Sequence, residues 1–135
     1  MALRLIPHIH RATHRIGLHI EELGDPRVNQ AEAHVLAHLA SAGEATIGQV
    51  HRAFGHKRST LTSILDRLEE RRLIVRTSDA RDRRTFVITL TRSGRAAATR
   101  VVEHLQAFES RALHGCAAVD VRAFLRVLER FESEG

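Results

Sequence analysis

The chain has 135 residues, of which 43% are hydrophobic, but it contains no Trp and no Tyr, so aliphatic side chains must form its core. This length suits one domain and is short for two, and no segment approaches the ~20 apolar residues of a membrane-spanning helix. The N-terminus shows no export signal, and a single cysteine, Cys116, excludes an internal disulfide. We therefore expect one soluble domain that works in the reducing cytoplasm and not in a membrane.

Basic residues outnumber acidic ones by 21 to 16, which gives a formal net charge of +5 with neutral histidines. This excess is modest, and its placement along the chain is more informative than its size. Nine arginines but only four acidic residues lie between positions 67 and 95. This placement suits a polyanionic partner.

Three helices are predicted in the first part of the chain. Apolar residues at spacings of three and four give the first helix, which ends by Gly24. Asn29 and Glu32 form a capping box at the start of the second helix. Thr46 and Gln49 form another capping box at the start of a short third helix.

A turn at Gly55 separates the third helix from a fourth, over about 57–71, and this order predicts a helix-turn-helix. The second helix of such a unit reads bases in the major groove with its N-terminal residues, and Arg58 suits a bidentate contact with guanine. The alternative is that the serines and threonines merely cap the helix and that Arg58 is solvated. We assign DNA contacts on this helix to Lys57, Arg58, Ser59, Thr60, Thr62, Ser63 and Arg67.

Two β-rich runs, 73–77 and 85–90, are joined by a charged tip, which predicts a hairpin wing after the fourth helix. An arginine on a thin hairpin can enter a narrow minor groove, and the candidates are Arg81, Arg83 and Arg84. We expect that Asp79 or Asp82 pairs with a neighbouring arginine and holds the tip in shape. The alternative is a solvated β-turn.

Apolar seams also run along the helices outside this winged core, namely the first helix, a long helix over about 92–113 and a last helix after Gly115. One small lobe cannot cover all of them, so pairing with a second copy in a two-fold dimer is expected, although a monomeric helical cap would bury part of the same surface. The residues assigned to dimerisation are Ile6, Ile9, Ile16, Ile20, Val121, Phe124, Leu128 and Phe131.

The chain resembles the MarR (multiple antibiotic resistance regulator) family of bacterial winged helix-turn-helix transcription regulators. The segments that carry this resemblance are Arg58-Ser-Thr-Leu-Thr, Leu65-Asp-Arg-Leu-Glu, Leu73-Ile-Val-Arg, Asp79-Ala-Arg-Asp-Arg-Arg and Leu90-Thr-Arg-Ser-Gly94. The resemblance is close over about 28–94. It implies an obligate homodimer built from the N- and C-terminal helices, a pseudo-palindromic DNA operator and, in many members, a small phenolic or other ligand between the dimer helices and the DNA-binding lobe.

Three features depart from the pattern of that family. Arg72 stands where glycine is usual after the recognition helix, so either the left-handed helix cap is absent or the arginine is strained. Ala80 replaces the usual proline of the wing, which leaves the tip looser. His51 and His56 make the helix-turn-helix more polar than is usual. Together they predict an operator affinity below that typical of the family.

Ten histidines are an unusual number for this length. His34 and His38 lie one helical turn apart, a spacing at which two imidazoles can share a metal. His104 is a further candidate ligand, and additional donors are Glu21, Glu22 and His114. Proton sensing and histidines without a special role are the alternatives. Cys116 is either an oxidant sensor or a thiol without a role.

The sequence thus predicts a mainly α protein with a small antiparallel β wing, in which a winged helix-turn-helix lobe carries N- and C-terminal dimerisation helices. We divide the single domain, 1–135, into an N-terminal dimerisation helix (1–24), the winged lobe (28–92) and C-terminal dimerisation helices (93–135). The predicted function is a sequence-specific, homodimeric DNA-binding repressor released by a small ligand, with no required cofactor and no enzymatic activity. The alternatives are a zinc- or redox-responsive regulator of the same fold and a non-specific, architectural DNA-binding protein.

Overall fold

The computed structural model describes residues 1–134, which form six helices and one small antiparallel sheet. In chain order the elements are α1 (Ile6–Glu21), α2 (Gln30–Ala42), β1 (Glu44–Thr46), α3 (Ile47–Phe54), α4 (Arg58–Glu70), β2 (Ile74–Ser78), β3 (Phe86–Leu90), α5 (Arg92–Ala112) and α6 (Ala118–Glu134). The prediction of a mainly α protein with a β wing is confirmed. Within these residues, every helix is too short or too polar to cross a lipid bilayer.

The sheet has the strand order β1-β3-β2, with both pairs antiparallel. The hairpin of β2 and β3 was predicted, and it aligns Thr77 with Val87. β1 was not predicted, because three residues are too few to show the alternation that marks a strand. It aligns Ala45 with Ile88 and so anchors the inner edge of the wing to the helix-turn-helix.

The main core lies between α2, α3, α4 and the sheet. Leu36 and Leu39 of α2 meet Leu65 and Leu68 of α4, and Ile88 of β3 closes the cluster. All five side chains are at most 1% exposed. Burial of this face holds α4 firmly in the lobe and leaves its opposite face in solvent.

A second, smaller cluster joins α1, α2 and α5 through Ile20, Ala33 and Val101, which are 4%, 0% and 3% exposed. Ile16 packs against it. This placement corrects the assignment of Ile20 to the dimer contact, because its side chain is already buried within one protomer. The three–four periodicity identified an apolar face but not which partner covers each part of it.

The apolar side of α6 has no cover within residues 1–134, where none of its residues is buried. Phe124 and Phe131 are 53% and 43% exposed, and Ile6 at the start of α1 is 51% exposed. An apolar groove of about 350 Å³ separates α1 from α6, with Ile9 and Leu128 also on its walls. These features agree with the predicted contact to a second copy, which stays a prediction.

The end of α4 shows that Arg72 does adopt the left-handed conformation, with φ +61°. Its N–H donates to the Glu69 carbonyl and the Leu73 N–H donates to the Leu68 carbonyl, both at 2.9 Å. These two bonds define a Schellman motif, and the buried Leu68 and Leu73 provide its apolar contact. The motif that usually holds glycine is therefore present, and an arginine occupies its strained position.

Candidate nucleic-acid interface

The helix-turn-helix consists of α3 and α4, and hydrogen bonds fix its geometry. The Gln49 N–H donates to the Thr46 hydroxyl oxygen at 3.1 Å and the Thr46 N–H donates to the Gln49 side-chain oxygen at 2.9 Å, so the predicted capping box is present. α3 ends at Gly55, whose φ of +65° is left-handed and suits glycine. Val50 and Leu61 are buried beside the turn, so the start of α4 is held against α3.

The N-terminal end of α4 has no side-chain cap among the described residues. Its first backbone bond runs from the Leu61 N–H to the Lys57 carbonyl at 3.0 Å. The preceding N–H groups, of Arg58, Ser59 and Thr60, therefore have no partner inside the helix. Together with the positive end of the helix dipole, they form a site suited to an anion such as a phosphate. The alternative that hydroxyls cap this helix does not match the structure.

Six of the seven side chains predicted to contact DNA around the start of α4 are exposed. They are Lys57, Arg58, Ser59, Thr60, Thr62 and Ser63. Arg67 is half-buried, and its Nε lies 3.7 Å from the carboxylate of Glu32 in α2. The structure therefore gives Arg67 a partner within the protomer that the sequence did not indicate.

The wing tip is shaped by its two aspartates. Asp79 Oδ1 accepts a hydrogen bond from the Arg81 N–H at 3.0 Å. Asp82 Oδ1 accepts from the Arg84 N–H at 3.1 Å and from the Arg84 Nε at 3.2 Å. The predicted pairing of a carboxylate with a neighbouring arginine therefore occurs at Asp82, whereas Asp79 holds only backbone. The guanidinium groups of Arg81 and Arg83, like that of Arg84, project from an exposed tip.

A groove of about 450 Å³ separates α3 and α4 from the wing. Arg52 of α3, Arg58 of α4 and Arg84 of the wing all line it, and no acidic residue does. Arg84 is already paired with Asp82. Arg52 and Arg58 have no acidic partner among the described residues, and these two free guanidinium groups favour a polyanion in the groove. Arg81 instead lines the opposite side of the wing, beside Glu44.

Two residues of this groove were missed by the sequence analysis. Arg52 lies in the last turn of α3, where helical periodicity alone would have placed it on the exposed face. Phe86 is the first residue of β3 and is 45% exposed at the groove. Its ring offers an apolar surface next to the cationic groups.

Comparison with known proteins agrees with this arrangement. Residues 28–85 match the model of the MarR family. The uncharacterised HTH-type transcriptional regulator YwhA of Bacillus subtilis is 29% identical over 76% of this chain and 74% of its own length. The HTH-type transcriptional repressor MdtR of the same organism is 33% identical over 56% of this chain and 48% of its own.

Solved structures share the fold over nearly the whole chain. A mutant of MarR from E. coli complexed with operator DNA has a TM-score of 0.74 and 21% identity, with 94% of each chain covered. BpsR of Bordetella bronchiseptica, whose DNA binding is regulated by 6-hydroxynicotinic acid, has a TM-score of 0.76 and 22% identity, with 100% of each chain covered. Both of the curated relatives, YwhA and MdtR, are named as HTH-type transcriptional regulators, and residues 28–85 of this chain are similar to the MarR family.

The remaining departures from the MarR pattern have local structural effects. Ala80 is exposed at the tip of the wing. His51 lines the cationic groove. His56 packs its ring against Phe54, with centroids 5.9 Å apart, and its buried Nδ1 has no hydrogen-bond partner among the described residues. The lower operator affinity predicted from these residues stays a prediction.

The histidines do not group as the sequence indicated. His38 packs edge-on against Phe54 at 5.4 Å, and the pKa of His34 is lowered by partial desolvation and then by nearby His56. Both therefore lie toward the helix-turn-helix. Within residues 1–134, the group of potential ligands whose atoms lie close enough to share a metal contains His104 but neither His34 nor His38. This corrects the pairing of His34 and His38 as candidate metal ligands.

Cys116 is an exposed, free thiol in the connection between α5 and α6. It lies outside the groove and outside the metal-spaced group. Its proposed role as an oxidant sensor stays untested.

An ion pair between a buried carboxylate and an exposed arginine at the end of α4 was also not predicted. The side chain of Glu32 is 1% exposed, and its Oε2 lies 3.0 Å from Arg71 Nη1. The same Nη1 donates to the Arg27 carbonyl at 2.6 Å. Glu32 was recognised only as a capping residue, and its oxygen does accept from the Asn29 N–H at 3.2 Å. The carboxylate of Glu32 thus caps the N-terminus of α2 and binds Arg71 at the C-terminal end of α4.

Proposed function

We propose that this protein is a homodimeric repressor that binds a pseudo-palindromic operator. The start of α4 would enter the major groove, and the wing tip would follow the neighbouring minor groove. The observation that carries the proposal is the acid-free groove in which Arg52, Arg58 and Arg84 converge beside the uncapped N-terminus of α4. Repression is preferred because a dimer on a promoter blocks it without further contacts, and because the relative MdtR is named as a repressor.

The homodimer is supported by the uncovered apolar face of α6 and by the groove between α6 and α1. Exposed aromatic side chains such as Phe124 and Phe131 are costly in water and become favourable when a second copy covers them. Two lobes related by a two-fold axis would then read two related half-sites. Sedimentation equilibrium tests this part: a dimer is expected, and Phe124→Glu should dissociate it.

Release by a small molecule is supported by the relative BpsR, whose DNA binding 6-hydroxynicotinic acid regulates. In this chain a narrow crevice beside the second core cluster is lined by Asp25, Arg100 and Val101, where α5 meets the α1–α2 connection. Its volume of about 10 Å³ holds no more than one water molecule, so a ligand could enter here only if α5 and the α1–α2 connection moved apart. We infer a function in binding and not in catalysis, and a cytoplasmic location because the partner is chromosomal DNA.

Fluorescence anisotropy tests DNA recognition. The protein is titrated onto the duplex immediately upstream of its own gene and onto a scrambled duplex at the same salt concentration. A preference of ~10³ or more is expected for a specific regulator. Equal binding to overlapping duplexes across that region and to the scrambled control would contradict sequence-specific recognition and favour a general DNA-coating role.

Variants then locate the contacts. Arg58→Ala should weaken operator binding by about 1–3 kcal/mol and relax the base preference, whereas Arg83→Ala should weaken binding to all sequences more evenly. Arg111→Ala is the matched control, because Arg111 is an exposed arginine near the far end of α5, roughly 30 Å along that helix from its start after β3. Wild-type binding by the first two variants would refute the assignments of α4 and the wing.

A further inference from the structure

Three side chains with metal-ligand chemistry converge where α1 crosses α5. His19 lies in the last turn of α1, and Glu22, three residues on, is the C-cap of that helix and keeps helical dihedral angles, so the two share one face. His104 reaches them from α5. His19 Nδ1 is 3.2 Å from Glu22 Oε2, and His104 Nε2 is 3.8 Å from the same oxygen. Each residue offers one donor atom, and these three atoms lie within 4.8 Å of one another.

These separations are close to those of a tetrahedral zinc site. With Zn–N and Zn–O bonds of about 2.0–2.1 Å, two ligand atoms lie about 3.3 Å apart. Small rotations of exposed or half-buried side chains therefore suffice to complete the geometry. Glu22 has the most room to move, because its side chain is 60% exposed, against 21% for His19 and 28% for His104.

The nitrogen of His104 is an independent indication of a missing partner. His104 Nε2 is shielded from solvent and makes no hydrogen bond with the described residues. A shielded polar atom without a partner costs free energy, and a cation bound to its lone pair would remove that cost. The ring of His19 packs on Phe108 with centroids 4.2 Å apart, which orients its Nδ1 toward Glu22.

We propose that His19, Glu22 and His104 bind Zn²⁺, or a similar first-row divalent cation, with a fourth position open to solvent. Two imidazoles and one carboxylate suit zinc and its neighbours, whereas Mg²⁺ and Ca²⁺ require oxygen ligands. The site joins α1 to α5 beside the second core cluster, so occupation stabilises the packing of these two helices. The proposal is independent of DNA binding.

Titration of the metal-free protein with Zn²⁺ against a chromophoric chelator tests this site. The chain has ten histidines, so only the first equivalent per chain is diagnostic. Removing an outer-shell partner already weakens metal sites by about 10–100-fold, so loss of a direct ligand in Glu22→Gln or His104→Ala should weaken the first equivalent by ~100-fold or more. His14→Ala is the matched control, since His14 is an exposed histidine of the same helix outside the group.

Two further measurements test the site even if one of the variants fails to fold. Zn²⁺ should raise the melting temperature of the wild type and of His14→Ala but not that of Glu22→Gln, whose substituted side chain is largely in solvent. Co²⁺ should give the visible absorption of a tetrahedral site only in the first two proteins. Absence of a first equivalent in the wild type, or equal Zn²⁺ affinity in wild type and Glu22→Gln, would overturn the proposal.

Discussion

Replacing Arg72 by glycine is expected to stabilise the protein. The φ of Arg72 is +61°, and this conformation costs a residue with a Cβ about 1–2 kcal/mol. Glycine removes that cost but makes the unfolded chain more flexible, which opposes the gain by about 0.5–1 kcal/mol. The side chain of Arg72 is exposed and makes no hydrogen bond or ion pair with residues 1–134, so little else is lost. The free energy of unfolding should rise by about 0.5–1 kcal/mol.

Urea and thermal unfolding at one fixed protein concentration measure this change, because the stability of a dimer depends on concentration. Arg72→Ala is the matched control, since it removes the same charge and keeps a Cβ at the same φ. The alanine variant should differ from wild type by no more than about 0.5 kcal/mol, whereas each kcal/mol gained by the glycine variant should raise the melting temperature by roughly 2–4 °C. A glycine variant no more stable than the alanine variant would refute the argument from backbone strain.

Three other changes probe how the helices are held. Arg71→Met should destabilise the fold by roughly 3 kcal/mol in urea unfolding, because it leaves the buried carboxylate of Glu32 poorly paired; a near-neutral result would contradict this. Gly94→Ala should cost about 1–3 kcal/mol because its Cβ would overlap a backbone carbonyl, while Gly48→Ala should not destabilise. The hydrogen bond from the Arg27 side chain lowers the pKa of Asp25 to about 2. The ionised carboxylate therefore contributes ~2 kcal/mol to the free energy of unfolding above about pH 4, and this contribution is lost toward pH 2. Asp25→Asn should therefore be less stable than wild type at pH 6 but not at pH 2.

Much of the winged lobe was predictable because local signals and burial agree there. The capping boxes begin α2 and α3 as predicted. The buried face of α4 has the regular three–four spacing of a helix packed on one side, at Leu61, Ile64, Leu65 and Leu68. Once that face is known, the opposite face is exposed by geometry alone. Arg58 and its neighbours followed from this.

What could not be predicted depends on contacts between residues distant in the sequence. His19 and His104 are 85 positions apart, and only the crossing of α1 and α5 brings them to one carboxylate. The helical spacing of His34 and His38 was a local signal, but no third ligand from another element meets them in the described residues. Ile20 likewise could not be assigned to the protomer core or to a dimer from periodicity.

The density of arginines between positions 67 and 95 overstated how many are free to contact DNA. Arg71 forms an ion pair with Glu32. Arg76 pairs with Asp66 at 2.7 Å and with Glu69 at 2.9 Å. The bonds from Arg76 also lower the pKa of Glu69, which keeps that carboxylate charged. Sequence composition counts these arginines as basic surface, whereas the structure uses them to join elements.

The position of Arg76 has a consequence for recognition. It lies in β2, and both of its acidic partners lie in α4, so these ion pairs connect the wing to the recognition helix. An exposed pair contributes little stability alone, but two carboxylates on one guanidinium fix its geometry. These ion pairs therefore hold the base of the wing against the C-terminal half of α4. In the proposed binding mode, they help to set the spacing between the wing and α4 before DNA is bound, so the ordering cost of binding falls mainly on the exposed side chains.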